Sequence, residues 1–376
     1  MKAFLARALA VWALFSFAAA AQTGKPEPKS TPASTRGLQV STGSAAPKGG
    51  TEAKVEDMRV LEGSSTDPFE LERLGLAAVN ANQLDRARVF FERAWQLGEL
   101  PTAAYNLACL DARTGRVDQA FAQLGKAIAA GFDDGVPLEK DPDLAALRGK
   151  PKFSAIVSGA AKNRASGDAA AVKEGVFLVP KDGALAILLL LHDKESDPFT
   201  VSGPFTDIAL AHHLAVAAPR GPGRSAKKRF GWGSAERAAK AINAAVAAAR
   251  RKAGNQKLPV LLVGVGRGGT EALTAAARTA PGTFAGVGSI GGPFDPGATQ
   301  NPAGLRGTRL FLGFSRDGAP AEIAAIRRGI DFLRQQGFQP MVAEWPGAGS
   351  GFPKDVPRAV KETLDAFAGQ APPKPR

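Results

Sequence analysis

The sequence predicts an α-helical repeat domain followed by an α/β domain, with a mostly parallel sheet and helices on both faces. Three observations carry this. Between Asp67 and Ala130 apolar and small residues recur at a separation of 33: Leu74, Ala87, Phe91 and Ala94 return as Leu107, Ala120, Leu124 and Ala127. From Gly175 onward short apolar runs alternate with helical patterns. Two of those runs, LAILLLL at 185–191 and PVLLVG at 259–264, are apolar without alternation, as strands covered on both faces are.

Taken in order, the first 21 residues read as a secretory signal. Lys2 and Arg7 supply positive charge, Val11 to Ala21 is apolar and small, and Ala19-Ala20-Ala21 offers an A-x-A cleavage site before Gln22. No cysteine follows that site for a lipid anchor, and no later run is long and apolar enough to span a bilayer. The expected location is periplasmic or secreted. Residues 22–66 are rich in Pro, Ser, Thr, Gly and Lys and read as a disordered tether. The helical repeats and a closing cap are expected over 67–157, a linker over 158–174, the α/β domain over 175–369 and a disordered tail over 370–376.

The repeat residues form a pattern that resembles tetratricopeptide (TPR) repeats, whose period is near 34. Small alanines let paired helices approach, while Leu and Phe fill between them. The following GFDDGVPLEKDPDLAALRGKPKF resembles the segment that ends short groups of such repeats in bacterial proteins. The resemblance implies a module that binds a protein partner. Cys109, the single cysteine, lies on an apolar helix face and reads as a core residue.

In the α/β domain, strands are expected at 175–179, 185–191, 214–217, 258–263, 284–290, 309–314 and 340–345. Helices are expected at 203–213, 234–252, 268–279, 321–336 and 354–368. Ligands on such sheets bind beyond the carboxyl ends of the strands. The richest corner is Leu258 to Thr270, LPVLLVGVGRGGT, an apolar strand, a glycine-dense turn and a helix start. The turn also spells G-x-G-x-x-G through Gly264, Gly266 and Gly269. It follows the fourth strand rather than the first, and no acid closes the next strand, so a dinucleotide site is disfavoured.

Four segments of 175–369 resemble the α/β-hydrolase superfamily in its small esterase and dienelactone-hydrolase-like forms. A strand ends in His192-Asp193, where the family has His-Gly opening an oxyanion loop. The glycine turn stands at the nucleophile elbow. FLGFSRDGAPAE matches the acid-bearing strand end, through Asp317, and EWPGAGSGFP matches the segment that carries the histidine. Carried over residue by residue, the triad is degenerate: the nucleophile position is Gly266, the histidine position is Ser350, and Asp317 alone remains. Removing a triad nucleophile costs on the order of 10⁶ in rate. Ser289 falls on the next strand and reads as a packed residue.

The chain carries 48 Lys and Arg against 35 Asp and Glu, a net charge of +13. Eleven of those cations and one acid, Glu236, fall between Leu214 and Val260. The densest part, Arg220 to Trp232, follows a strand end and is expected over the pocket, where it would meet an anionic small molecule or an envelope polymer. No nucleic-acid motif is present, and neither cofactor nor metal is expected. The expected ligand contacts are His192, Asp193, Arg267, Gly268, Arg224 and Trp232, with the amides of Arg267 and Gly268 forming an anion seat at the helix start. Two functions are open at this point: an inactive hydrolase-fold domain used for scaffolding or for binding an anionic or ester-like ligand, or an active hydrolase with an unconventional nucleophile.

Overall fold

A computed structural model describes residues 65–297, 299, 301–348 and 353–368. The signal, nearly all of the tether, the tail and Ser350 lie outside the described residues. Asp67 begins the first helix by accepting from Phe69 N at 3.1 Å, and Pro68 follows it at a position whose missing N–H costs nothing. Four helices then pair by packing: α1 (Pro68–Asn80) on α2 (Leu84–Gly98), and α3 (Pro101–Arg113) on α4 (Val117–Ala129). All eight residues of the 33-residue recurrence are buried. The two pairs are packed by a compensated exchange. In the first, a Cβ on Gly75 would lie 2.4 Å from the Phe91 ring, so only glycine fits beneath the phenyl group. In the second pair the same two positions hold Ala108 and Leu124, both fully buried: the larger residue on one helix has traded against the smaller on the other. A short helix α5 (Gly135–Lys140) and a 3₁₀ turn (Pro142–Leu147) close this part.

The expected linker is not a linker. Residues 158–173 belong to α6 (Pro151–Lys173), a helix of 23 residues. Its alanines favour helix, and its glycines mark close contacts: a Cβ on Gly167 would lie 2.1 Å from the Pro222 carbonyl oxygen. The two parts are therefore continuous, and residues from 65 onward form one contact-defined unit.

The main sheet has seven strands in the order β1-β3-β2-β6-β7-β8-β9, where β1 is Val176–Leu178, β2 Ala186–Leu191, β3 Leu214–Ala218, β6 Val260–Val265, β7 Gly286–Ile290, β8 Arg309–Asp317 and β9 Met341–Ala348. Within this sheet only β1 runs antiparallel; the other six strands pair in parallel. Helices cover both faces. Ile187, Leu189 and Leu191 join one core with α8 (Ala235–Lys252), α9 (Arg267–Ala277) and α10 (Pro320–Gln335). Leu188 and Leu190 join the other with α7 (Pro198–Ala211) and α11 (Val356–Phe367). Two elements differ from expectation. Helix α7 starts at Pro198 rather than 203, because Asp197 caps it through Phe199 N (2.8 Å) and Thr200 N (2.9 Å). The basic segment after β3, for which no strand was expected, forms a small hairpin of β4 (Gly223–Ala226) and β5 (Arg229–Gly231). No described helix is long and apolar enough to cross a membrane.

Candidate functional site

Strands β2 and β6 are hydrogen-bonded neighbours, with Leu191 opposite Gly264. The residues just past their ends therefore meet at the carboxyl edge of the sheet. Gly266 turns the chain there with φ 52° and ψ −123°, a conformation that side-chain-bearing residues hold only under strain. Its N–H donates to Ile290 O at 2.7 Å and its carbonyl accepts from Gly269 N at 3.0 Å, so the turn is fixed on both sides before α9 begins. Gly268 allows the crossing of the two strand ends: a Cβ there would lie 2.3 Å from Leu191 O.

The space that a side chain at 266 would fill is occupied. A Cβ on Gly266 would lie 2.2 Å from both Cγ and Oδ1 of Asp193, and 2.3 Å from its Oδ2. Asp193 Oδ1 accepts from Arg267 N at 2.7 Å and from Lys194 N at 2.7 Å. A carboxylate of the protein itself thus sits on the first amide of α9, where the positive end of the helix favours it. The open anion seat expected from Arg267 and Gly268 is not open. The Arg267 amide serves Asp193, and its guanidinium turns back along α9 onto buried Glu271, with Nε 2.7 Å from Oε1.

His192 and Trp232, expected to touch ligand, are buried at 0% and 2% exposure. His192 Nε2 accepts from Gly221 N at 2.8 Å, and its other ring nitrogen lies 2.7 Å from Asp193 O, which fixes that nitrogen as the donor. Burial pushes His192 down to about 4, so the ring is neutral at neutral pH. Trp232 Nε1 donates to His192 O at 2.9 Å, and the two rings lie tilted by 31° with centroids 4.8 Å apart. These two side chains hold the strand end that aims Asp193, instead of lining the pocket. The reason is burial: a histidine that ends a fully buried strand must satisfy both nitrogens internally.

The basic hairpin divides. Arg224 faces away from the corner: its stem lies by Gly131 of the helical part, where a Cβ would be 3.0 Å from Arg224 Cδ. Lys227, Lys228 and Arg229 do stand beside the corner. With Asp193, Lys194, Glu195, Ser196, Asp197, Thr200, Val201 and Val265 they line a cleft of about 600 Å³. A second cleft of about 670 Å³ shares Glu195 and the three cations and continues to Asp67, Phe69 and Leu97 of the helical part. Glu195 and Lys228 face this shared wall with left-handed backbones, each at φ 59°. Burial pushes the Glu195 carboxyl up to about 7.

Asp317 ends β8, and its Oδ2 accepts from Gly347 N at 2.9 Å. Ser289 is a packed residue whose hydroxyl donates to Gly292 O at 2.6 Å, and Ser315 is likewise buried, donating to Gly347 O. His212 and His213 precede β3 and so lie at the opposite edge of the sheet from the corner. One group among the described residues brings metal-ligand types together: Cys109, Asp141 and Asp143, with ligand atoms within 4.8 Å of one another. Asp141 is already taken by Tyr105 Oη at 2.6 Å and Asp143 N at 2.9 Å, and burial pushes the Cys109 thiol up, so the group reads as a hydrogen-bonded core.

No protein-family model and no curated protein matches this chain. Among solved structures it is similar to an uncharacterized protein from Bacillus cereus, at 14% identity and a TM-score of 0.42, over 80% of this chain and 98% of that one. It is also similar to a Bacillus cereus carboxylesterase, at 17% identity and 0.42, over 51% of this chain and 94% of that one. A fluorophosphonate-binding serine hydrolase of Staphylococcus aureus aligns at 16% identity and 0.39, over 52% of this chain and 91% of that one.

Proposed function

We propose that this is an exported binding protein, in which a TPR-type helical module for a protein partner is joined to an α/β-hydrolase-like domain that has lost serine acyl transfer. One observation carries the reading: the nucleophile position is a glycine, and Asp193 fills the volume its side chain would need. A tetrahedral oxyanion has no vacant seat there, because the Arg267 amide already holds a carboxylate oxygen. The ligand is expected in the cleft beside the corner. Its neutral or cationic part would face Asp193, and any anionic part would reach the wall of Lys227, Lys228 and Arg229. Periplasmic or secreted placement rests on the N-terminal signal pattern alone. The alternative, turnover of esters or peptides through another serine, is weakened by the burial of Ser289 and Ser315. Exposure of the full chain to a fluorophosphonate probe tests the proposal. No serine in 175–369 should be labelled; covalent labelling of any of them in folded protein overturns the loss of acyl transfer.

A further inference from the structure

The tip of the basic hairpin carries a residue that its backbone does not favour. Lys227 and Lys228 form the turn that joins Ala226 to Arg229, and Lys228 stands there at φ 59°. Glycine or asparagine adopts that backbone readily, whereas lysine holds it only where its surroundings impose it. Here they do. Phe230 N donates to Ser196 O at 3.0 Å, Arg229 Nη1 to Glu195 O at 2.9 Å, and Lys227 N to Gly98 O at 3.4 Å. The tip is thus pinned to both the helical and the α/β parts, and its three cations are not equivalent. Lys227 pairs with Glu99 at 3.2 Å, and Arg229 is tied to the Glu195 carbonyl. Lys228 is exposed and makes no hydrogen bond or ion pair among the described residues. A strained and pinned turn therefore presents an unpaired charge on the lining of the 670 Å³ cleft.

We propose that this cleft binds an amphipathic carboxylate, its anion meeting Lys228 and Arg229 and its hydrocarbon tail lying against Phe69 and Leu97 of the helical part. Leu97 is 49% exposed although it lines a cleft, so a tail on it would remove apolar surface from water. An inorganic anion would leave this side uncovered, and a neutral hydrocarbon would leave Lys228 unpaired. The volume is that of a small-molecule site, which spans roughly 300–1,000 Å³.

Two acids, Asp67 and Glu195, share the lining. Asp67 is engaged at the start of α1, where its Oδ1 accepts from Phe69 N at 3.1 Å. Glu195, pushed up to about 7 by burial, is partly neutral at pH 7. The three cations outweigh them. The backbone bonds that pin the turn fix it before a ligand arrives, which lowers the ordering cost of binding. This inference rests on the reading that an anionic ligand reaches the hairpin wall, and it adds what the ligand's other end must be.

The test titrates the full chain with sodium octanoate, sodium butyrate and 1-octanol by calorimetry at neutral pH. Octanoate should bind at one site, at least about 10-fold tighter than butyrate, which lacks most of the tail, and than octanol, which lacks the charge. Lys228→Asn suits the turn better than lysine does, so it should resist urea at least as well as wild type and bind octanoate at least about 10-fold more weakly. Lys228→Arg should keep the affinity. Leu97→Asn, at an exposed position, should weaken octanoate and leave butyrate unchanged. Failure of octanoate to bind folded wild-type protein overturns the proposal, and so does an affinity unaltered in Lys228→Asn or in Leu97→Asn. A fluorophosphonate adduct on serine would instead overturn the loss of acyl transfer and leave this inference standing.

Discussion

Gly266 and Asp193 are complementary in space. The turn after β6 carries no side chain at 266, and the Asp193 carboxylate on the turn after β2 fills the volume that one would need. Gly266→Ser alone should therefore destabilise the protein twice over: about 1–3 kcal/mol for a side-chain-bearing residue in this backbone conformation, and a collision with Asp193. Adding Asp193→Gly removes the collision but keeps the backbone strain. Urea denaturation of the two single variants and the double variant should show the second change offsetting part of the first, with an interaction of at least about 0.5 kcal/mol. Strict additivity would mean that the two side chains do not compete for space. This complementarity was half legible. The run LPVLLVGVGRGGT gives the strand, turn and helix by its apolar and glycine pattern, and His192-Asp193 departs from the expected His-Gly. That the two departures meet in space depends on β2 and β6 being paired, which no local pattern states.

Among the elements, α6 and the β4–β5 hairpin were the least legible, for opposite physical reasons. The composition of 158–173 suits a linker or a helix equally, and tertiary contacts decide. Asp168 on α6 and Asp133 after α4 both reach Arg237 on α8, at 2.6 and 2.8 Å. The Arg237 side chain is 4% exposed and also donates to Pro222 O at 2.9 Å. The hairpin hid because its strands are short and its turn places Lys228, rather than glycine or asparagine, at positive φ. Both elements converge on Arg237, so Arg237→Ala should cost about 3–5 kcal/mol, since it leaves two carboxylates without their buried partner. Chemical denaturation measures this, and a loss below about 1 kcal/mol would show that the contacts are peripheral.

At the scale of the whole molecule, the 670 Å³ cleft, which Glu195 lines, lies along the joint between the helical and α/β parts. Burial raises Glu195 to about 7 from an ordinary 4.5, so the folded protein binds this proton more tightly than the unfolded chain does. Its contribution is fully present below about 4.5 and is lost as pH rises through about 7. His192 works in the opposite sense. Its folded value of about 4 lies below the ordinary 6.5, so its contribution is present above 6.5 and lost as pH falls toward 4. Glu195→Gln should remove only the first slope. Its stability relative to wild type should rise steadily between pH 4.5 and 7, followed by thermal melts across that range. A constant difference between the two proteins would mean that Glu195 titrates normally.

The bond from Arg267 N to Asp193 Oδ1 has one more consequence. It joins the residues beyond two neighbouring strands, and it forms only when Leu191 stands opposite Gly264. A slip of β6 by a single residue would carry the amide about 3.3 Å away and turn every apolar side chain of that strand to the wrong face. The amide proton of Arg267 is therefore a built-in gauge of sheet assembly. Its exchange with solvent deuterium should slow only once the central strands have locked in register, late in folding.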